Sequence, residues 1–267
     1  MSVLHLLMLA LVQGLTEFLP VSSSGHLILF PAASGLQDQG QFIDVAVHLG
    51  TLGAVIIHLR SDVQRAFRGI GHLVSGRRAS AEARLVLALA AATVPVVVAG
   101  LFLAATGLSD RMRSIEVVAW TTIVFAGVLY WCDRTGRQAK SADSWSPRDA
   151  WILGLWQVLA LVPGTSRSGI TMSGARRLGY GREDSARIAF LMSIPVIMAS
   201  AVLLGSGTVG TVDAAAMRDG AIAAGLAFLA ALTALAVLTR LLRRISFTPF
   251  VLYRIGLGTI LLWIVYG

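Results

Sequence analysis

Gln13-Gly14-Leu15-Thr16-Glu17-Phe18-Leu19-Pro20-Val21-Ser22-Ser23-Ser24-Gly25-His26 and Gln157-Val158-Leu159-Ala160-Leu161-Val162-Pro163-Gly164-Thr165-Ser166-Arg167-Ser168-Gly169-Ile170-Thr171 break in the same way. A shift of 144 positions carries Gln13 onto Gln157, Ser22 onto Ser166, Ser24 onto Ser168 and Gly25 onto Gly169. Each stretch is an apolar run cut by a proline, followed by hydroxyls and glycine. Proline stops a helix because it has no N–H to donate and its ring collides with the preceding turn. In a hydrocarbon environment such a break survives only where protein covers it or where it lines a cavity. Two matching breaks therefore point to a site at the junction of two related halves.

The composition supplies that environment. The chain has 267 residues, is 56% hydrophobic and only 13% charged, and has a mean hydropathy of +0.76. Soluble domains carry about 25% charged residues, so there is too little polar surface here for a water-soluble globule, and the reading is a polytopic membrane protein. The net charge of +8 does not indicate nucleic acid. The arginines gather in short loops between apolar runs, where they set orientation and face anionic lipid headgroups. A single cysteine, Cys132, excludes an intramolecular disulfide and a multi-thiolate metal site. Residues 1–41 hold no Lys or Arg, unlike the basic start of a cleaved signal peptide, so the N-terminus is expected to belong to the mature protein.

Six runs are long enough to approach the ~30 Å of a hydrocarbon core: 42–59, 85–106, 115–131, 186–205, 221–239 and 250–266. Their polar members (Asp44, His48, Glu116 and Arg254) are expected to face the protein interior. Two further regions, 1–35 and 151–178, are divided by Pro20 and Pro163 into pieces too short to span, and read as re-entrant hairpins of broken helix. Loop 60–84 carries Arg60, Arg65, Arg68, Arg77, Arg78 and Arg84; loops 132–150 and 240–249 are also basic, whereas 107–114, 206–219 and both chain ends are poor in positive charge. The positive-inside rule places the three basic loops in the cytoplasm and both termini outside. Arg176, Arg177, Arg182 and Arg187 read as topology signals at the same cytoplasmic end. Threading the spans then makes the first hairpin enter and leave on the outer side and the second on the inner side. The expected architecture is all-α: six transmembrane helices plus two broken-helix hairpins in an inverted-topology repeat. Repeat 1 covers about 1–131, a cytoplasmic linker about 132–150 and repeat 2 about 151–267. Folds of this kind place their site near the midplane.

Glu17 lies in an apolar run just before a proline, where an unpaired charge is costly. Gln13, four residues earlier, shares its helical face. Ser22, Ser23, Ser24, Gly25 and His26 follow; a half-helix starting near Gly25 aims its N–H groups and positive dipole end at the break, which suits phosphate. The second break sets Arg167 among Gly164, Thr165, Ser166, Ser168, Gly169 and Thr171. Glycine permits close backbone approach, hydroxyls donate to oxygen and guanidinium binds phosphoryl oxygens in pairs. A buried Arg167 needs an anionic partner, which is either a ligand or a carboxylate such as Glu17. In the second case the pair only locks the halves together. Asp44 and His48, on one helical face, and Arg254 are weaker cavity candidates. On residues alone, the competing class is a transporter or flippase for a phosphorylated lipid or other anion, and the cheapest discriminator is release of phosphate in detergent.

The two segments together resemble the undecaprenyl-pyrophosphate phosphatase family linked to bacitracin resistance. Gln13-Gly14-Leu15-Thr16-Glu17 with Pro20 to His26 is similar to its first motif, and Pro163 to Thr171 to its second; Phe42 to Thr51 and Thr248 to Arg254 also resemble that family. Gln13 takes the amide option at its position, which weakens a two-carboxylate metal site. The resemblance implies an enzyme of the bacterial inner membrane that removes the terminal phosphate of undecaprenyl pyrophosphate. That step regenerates the monophosphate carrier for peptidoglycan synthesis. It also implies a divalent metal, Mg²⁺ or Ca²⁺, held by Glu17 with Gln13, and contact with bilayer lipid; a homodimer is compatible with it. Arg167 and the hydroxyls would hold the phosphoryl oxygens. Two nucleophiles remain open: Ser23 with His26 relaying its proton, or His26 itself, forming the phospho-enzyme or activating water.

Overall fold

The computed structural model describes residues 3–23, 25–27, 40–108, 112, 114–205 and 213–267, the side chains of 204 and 205 excepted. Ten α-helices run through these residues: α1 (Val3–Thr16), α2 (Gln41–His58), α3 (Arg60–Val74), α4 (Ala81–Thr106), α5 (Ile115–Thr135), α6 (Pro147–Val158), α7 (Arg167–Leu178), α8 (Arg182–Gly205), α9 (Ala214–Leu242) and α10 (Thr248–Tyr266). Among the described residues α2, α4, α5, α8, α9 and α10 are the helices long and apolar enough to cross a membrane. They coincide with the six expected runs. α4, α8 and α9 start four or more residues earlier than the apolar pattern alone indicates, and in α4 and α9 a polar residue caps the helix outside it. Ser80 accepts the Ala83 N–H at 3.1 Å ahead of α4, and Asp213 accepts the Ala216 N–H at 2.7 Å ahead of α9. Each satisfies an orphan donor of a helix start.

The expected loop 60–84 contains a helix. In α3 the charged residues Asp62 and Arg65 turn toward the bundle, while Phe67, Ile70 and Val74 are exposed. Glu116 also differs from expectation. It is exposed in the first turn of α5, where it accepts a hydrogen bond from the Tyr266 hydroxyl at the end of α10. An interior position is unnecessary for a carboxylate at a helix start, where the dipole already favours it.

The helices pair in a definite pattern: α1 against α9, α6 against α4, α2 against both α9 and α8, and α5 against α10. Close approach depends on small residues. A Cβ at Gly50 would collide with the Ala224 carbonyl, and one at Gly14 would lie 2.6 Å from the Ala230 Cβ, so α2 and α1 both meet α9 backbone to backbone. The main core gathers Phe18 and Val21 from the first break with residues of α2, α8, α9 and α10. Phe18 meets Phe190 edge to face at 5.6 Å. α6 and α7 pack together on either side of the second break. Tyr180, just past α7, donates to Asp149 in the first turn of α6 at 2.7 Å. Burial and then that bond push the Tyr180 phenol above its ordinary value, which keeps it a donor.

Arg176 is more than a topology signal. It is fully buried and binds Asp133 Oδ1 at 3.1 Å and the carbonyls of Asp133, Gly136, Arg137 and Tyr180 at 2.6–3.3 Å. Arg182 adds a second bond to Asp133 Oδ1 at 2.8 Å, and Asp133 Oδ2 accepts the Phe247 N–H at 3.2 Å. One carboxylate thus joins α5, α7, α8 and the start of α10. Removing a member of a buried pair leaves its partner uncompensated and costs about 3–5 kcal/mol. Arg176→Ala is therefore expected to lower the thermal midpoint of the purified protein sharply, measured in detergent; a midpoint within a degree or two of the parent would deny this network its structural role.

Candidate functional site

The two breaks meet. Glu17, just past α1, accepts Arg167 Nη2 on Oε1 at 2.5 Å. Its other oxygen accepts Gln13 Nε2 at 2.7 Å and Ser23 Oγ at 3.1 Å, and His48 Nε2 lies 3.8 Å away. Gln13 reaches Glu17 because α1 sets them one turn apart; Ser23 reaches it because the chain reverses between them. Glu17 is buried and Arg167 nearly so. A carboxylate and a guanidinium removed from water need each other here.

A cavity of about 380 Å³ opens beside this pair. Its polar wall is Glu17, Ser22, Ser23, Asp44, His48, Gln157, Ser166, Arg167 and Ser200. Asp44 and His48, the weaker candidates, are thus true members of the wall, brought in by α2. The remaining wall is apolar, from Leu27, Val45 of α2, Val96 of α4, Ala160 and Leu161 just past α6, and α8.

The local backbone explains why serines sit at the two turns. Ser22 and Ser166 are the non-glycine residues with positive φ among the described residues, at 76° and 70°, and they are the same position under the 144-residue shift. Such a conformation strains a residue with a Cβ and collects at functional sites. Ser166 then caps α7, accepting the Gly169 N–H at 3.2 Å. The positive end of α7 is thereby directed at the cavity.

Several expected phosphate contacts lie elsewhere. Ser168 Oγ donates to the Leu19 carbonyl at 2.8 Å, stitching the second break to the first. Gly164, Thr165, Gly169 and Thr171 do not line the cavity. Gly164 is required by geometry: its φ is 88°, and a Cβ there would meet the Val118 carbonyl at 2.5 Å. Gly25 packs near Val118 and Leu257. Ser24 lies outside the described residues. Arg254 is fully buried and does not line the cavity; it donates to the carbonyls of Thr122 at 3.2 Å, Gly164 at 3.0 Å and Pro20 at 3.5 Å. It is a fastener of both breaks. His26 also stands apart from Glu17. Its Nδ1 pairs with the Ser22 carbonyl at 2.7 Å and its Nε2 with the Tyr253 hydroxyl at 2.5 Å, its ring stacked on Tyr253. Ser23 is joined to Glu17, not to His26.

Gln157 is the residue that motif reading passed over. It is fully buried in the cavity wall, and neither its amide oxygen nor its nitrogen has a hydrogen-bond partner. Its place opposite Gln13 in the repeat was the available signal. The Gln13 Oε1 is likewise buried and unpartnered. The Glu17 carboxylate and the Ser23 hydroxyl present hard oxygen donors to the cavity, the chemistry that Mg²⁺ and Ca²⁺ accept; Gln13 does not line it and reaches it only through Glu17. Three or more His, Cys, Asp or Glu side chains do not cluster among the described residues, so a cation here would rely on one carboxylate plus substrate oxygens and water, as Mg²⁺ commonly does.

Residues 6–260 match the family described as bacitracin resistance protein BacA. The chain belongs to the BacA family. It is 59% identical to a protein of Ruegeria pomeroyi named undecaprenyl-diphosphatase, with all of both chains aligned. Similarly named proteins from Jannaschia sp. and Hahella chejuensis are 57% and 42% identical over 100% and 99% of both chains.

The unpartnered Gln157 amide yields a prediction. Replacing a buried polar group that has no partner by an apolar one of similar shape is near neutral or stabilising. Gln157→Leu is therefore expected to hold or raise the thermal midpoint while lowering turnover about tenfold or more, the worth of one hydrogen bond to a charged ligand. A parallel fall in stability would mean that Gln157 is structural.

Proposed function

We propose that this chain hydrolyses the terminal phosphate of undecaprenyl pyrophosphate, giving undecaprenyl phosphate for reuse as the lipid carrier of peptidoglycan synthesis and so conferring bacitracin resistance. The observation that carries the reading is the Glu17–Arg167–Ser23 cluster in the wall of a cavity between apolar helices, in a chain 59% identical over its full length to a protein named undecaprenyl-diphosphatase. The relatives' names speak against the transporter alternative.

In this mechanism the prenyl tail lies between helices and the diphosphate enters the cavity. Arg167 leaves Glu17 for the phosphoryl oxygens, which Ser22, Ser166, Gln157 and the N-terminal end of α7 also bind; charge developing on those oxygens is thereby stabilised. Ser23 Oγ attacks the terminal phosphorus, and the anhydride P–O bond breaks with undecaprenyl phosphate as leaving group. The Ser23 proton passes to Glu17 Oε2, which already accepts its hydrogen bond. Glu17 hands that proton to the departing undecaprenyl phosphate, then takes one from the water that attacks the phosphoserine; this second proton returns to Ser23 Oγ as the P–O bond breaks and phosphate leaves. His26 orients this loop through Ser22 and Tyr253. Glu17, with Gln13 assisting through its hydrogen bond to that carboxylate, would hold Mg²⁺ or Ca²⁺, which when bound neutralises phosphate oxygens as a Lewis acid.

The inverted repeat is part of the proposal. Taken in order along each half, α1 packs on the other half's α9 and α6 on α4, so the pairings interchange when the halves are exchanged. α2 with α8 and α5 with α10 exchange with themselves. The shared φ of Ser22 and Ser166 and the α6–α7 pairing closed by Tyr180 and Asp149 support the same reading, with the arginine-rich loops in the cytoplasm and both termini outside.

Purified protein is expected to release phosphate from undecaprenyl pyrophosphate in detergent without any gradient, and to lose this activity with chelator. Glu17→Ala and Arg167→Ala should each lower kcat at least a hundredfold, given about 3–4 kcal/mol of transition-state stabilisation apiece. Rapid quench should trap phosphate on Ser23; an acid-labile phosphohistidine would transfer the role to His26. For topology, single cysteines at Ser75 and Ala214 in a Cys132→Ser background should label from opposite sides of intact cells. Labelling from one side would remove the inverted arrangement.

A further inference from the structure

We propose that a second site, apart from the Glu17–Arg167 cavity, binds a bilayer phospholipid with a singly charged phosphodiester headgroup. The phosphate occupies a basic cavity and one acyl chain occupies an adjoining apolar groove.

The cavity, of about 310 Å³, lies between α3, α4, the 142–147 segment and α8. Its charged lining consists of Asp62, Arg65, Arg84, Asp143 and Arg187. Asp62 receives Arg187 through two bonds of 2.8 and 2.6 Å and Arg65 through one of 3.2 Å. Asp143 takes Arg65 at 3.1 Å and Arg187 at 3.3 Å. The Arg84 guanidinium has no hydrogen-bond or ion-pair partner among the described residues. Three arginines against two aspartates leave one positive charge, which a phosphodiester matches. A phosphate monoester carries about −1.5 to −2 and would overfill it. Trp145 lines the same cavity, 7% exposed, with its indole N–H unpartnered.

The groove, of about 330 Å³, lies between the same three helices. Val63, Phe67, Leu89, Ile194 and Met198 line it, with Thr93 as the polar exception. Leu191 belongs to both spaces, so they adjoin. Neither shares a lining residue with the Glu17–Arg167 cavity. α3 fixes the depth of the site: it presents Phe67, Ile70 and Val74 outward, 70%, 49% and 86% exposed, and carries Arg60, Arg65 and Arg68. Such a helix lies in the interfacial plane with its apolar side in the acyl boundary. That puts the arginines at headgroup level and the groove among the chains. Any lipid tail could fill the groove; the surplus arginine beside it selects the anionic class.

The test uses the full-length protein in detergent, stripped of lipid and offered phosphatidylglycerol or phosphatidylcholine of the same chains, with bound lipid counted by native mass spectrometry. Phosphatidylglycerol should be retained about fivefold over phosphatidylcholine, the effect of one basic residue near an anionic headgroup. Arg84→Ala, which breaks no contact in the protein, should reduce its retention to the phosphatidylcholine level. Ala90→Phe, which narrows the groove, should do the same, and both variants should keep parental turnover in detergent. Equal retention of the two lipids, full retention by either variant, or displacement of phosphatidylglycerol by an equal concentration of undecaprenyl phosphate would overturn the assignment.

Discussion

A broken helix buried among apolar helices leaves carbonyls that water cannot reach, and much of this structure is arranged around satisfying them. The breaks turn the carbonyls of Leu19, Pro20, Pro163 and Gly164 toward side-chain donors, the first of them already accepting the Val21 N–H at 2.8 Å. Ser168 serves the first at 2.8 Å, Arg254 the second at 3.5 Å, Thr121 the third at 2.6 Å, and Thr122 with Arg254 the fourth at 3.3 and 3.0 Å. Each unsatisfied group would cost several kcal/mol in such surroundings. α5 and α10 are therefore as necessary to the site as the segments that carry its chemistry. The tight fit of Gly164 against α5 follows from the same need, since Thr121 and Thr122 can donate only if the break lies directly on their helix.

What the sequence made legible was cost. Proline within apolar runs, Glu17 before one break and Arg167 after the other are all expensive in hydrocarbon, and expensive groups must be paired or used. That logic located both breaks, the six spans and the two charges. The 144-residue shift matched the two serines that share a positive φ; it also set Gln157 against Gln13, a signal the motif reading did not use. It could not say which neighbours would answer them. His48 approaches Glu17 because α2 lies beside α1, and helical period alone does not fix which faces meet. His26 is engaged by a tyrosine 227 residues away, so its nearness to Ser23 in the chain was a poor guide to its partner in space.

The arginines show the same limit. Counting them by loop gives an orientation, because the rule depends on charge near the ends of spans and not on contacts. The count treats Arg176, Arg187 and Arg84 alike. In space they differ: Arg176 is sealed in the bundle with Asp133, Arg187 bridges α8 to Asp62, and Arg84 faces a cavity unpaired. The distinction rests on aspartates that are far away in sequence or spread along other helices. Composition cannot reveal those pairings.

The closed Glu17–Arg167 pair also bears on how such a site can exist before its substrate arrives. Were Arg167 held free in the cavity, the protein would carry an uncompensated buried charge, which costs more than the pair gains when formed. Pairing removes that cost but occupies both groups that the chemistry needs. A diphosphate resolves the conflict because it brings more negative charge than a single carboxylate and presents several oxygens to the guanidinium. In the proposed mechanism a ligand of that charge draws Arg167 away from Glu17 and frees Oε1, the oxygen that held it. Neutral lipids, abundant around every helix of this bundle, can enter the apolar part of the cavity without opening the pair. On that proposal, selectivity for a lipid diphosphate begins with breaking an ion pair, ahead of any contact with the prenyl chain.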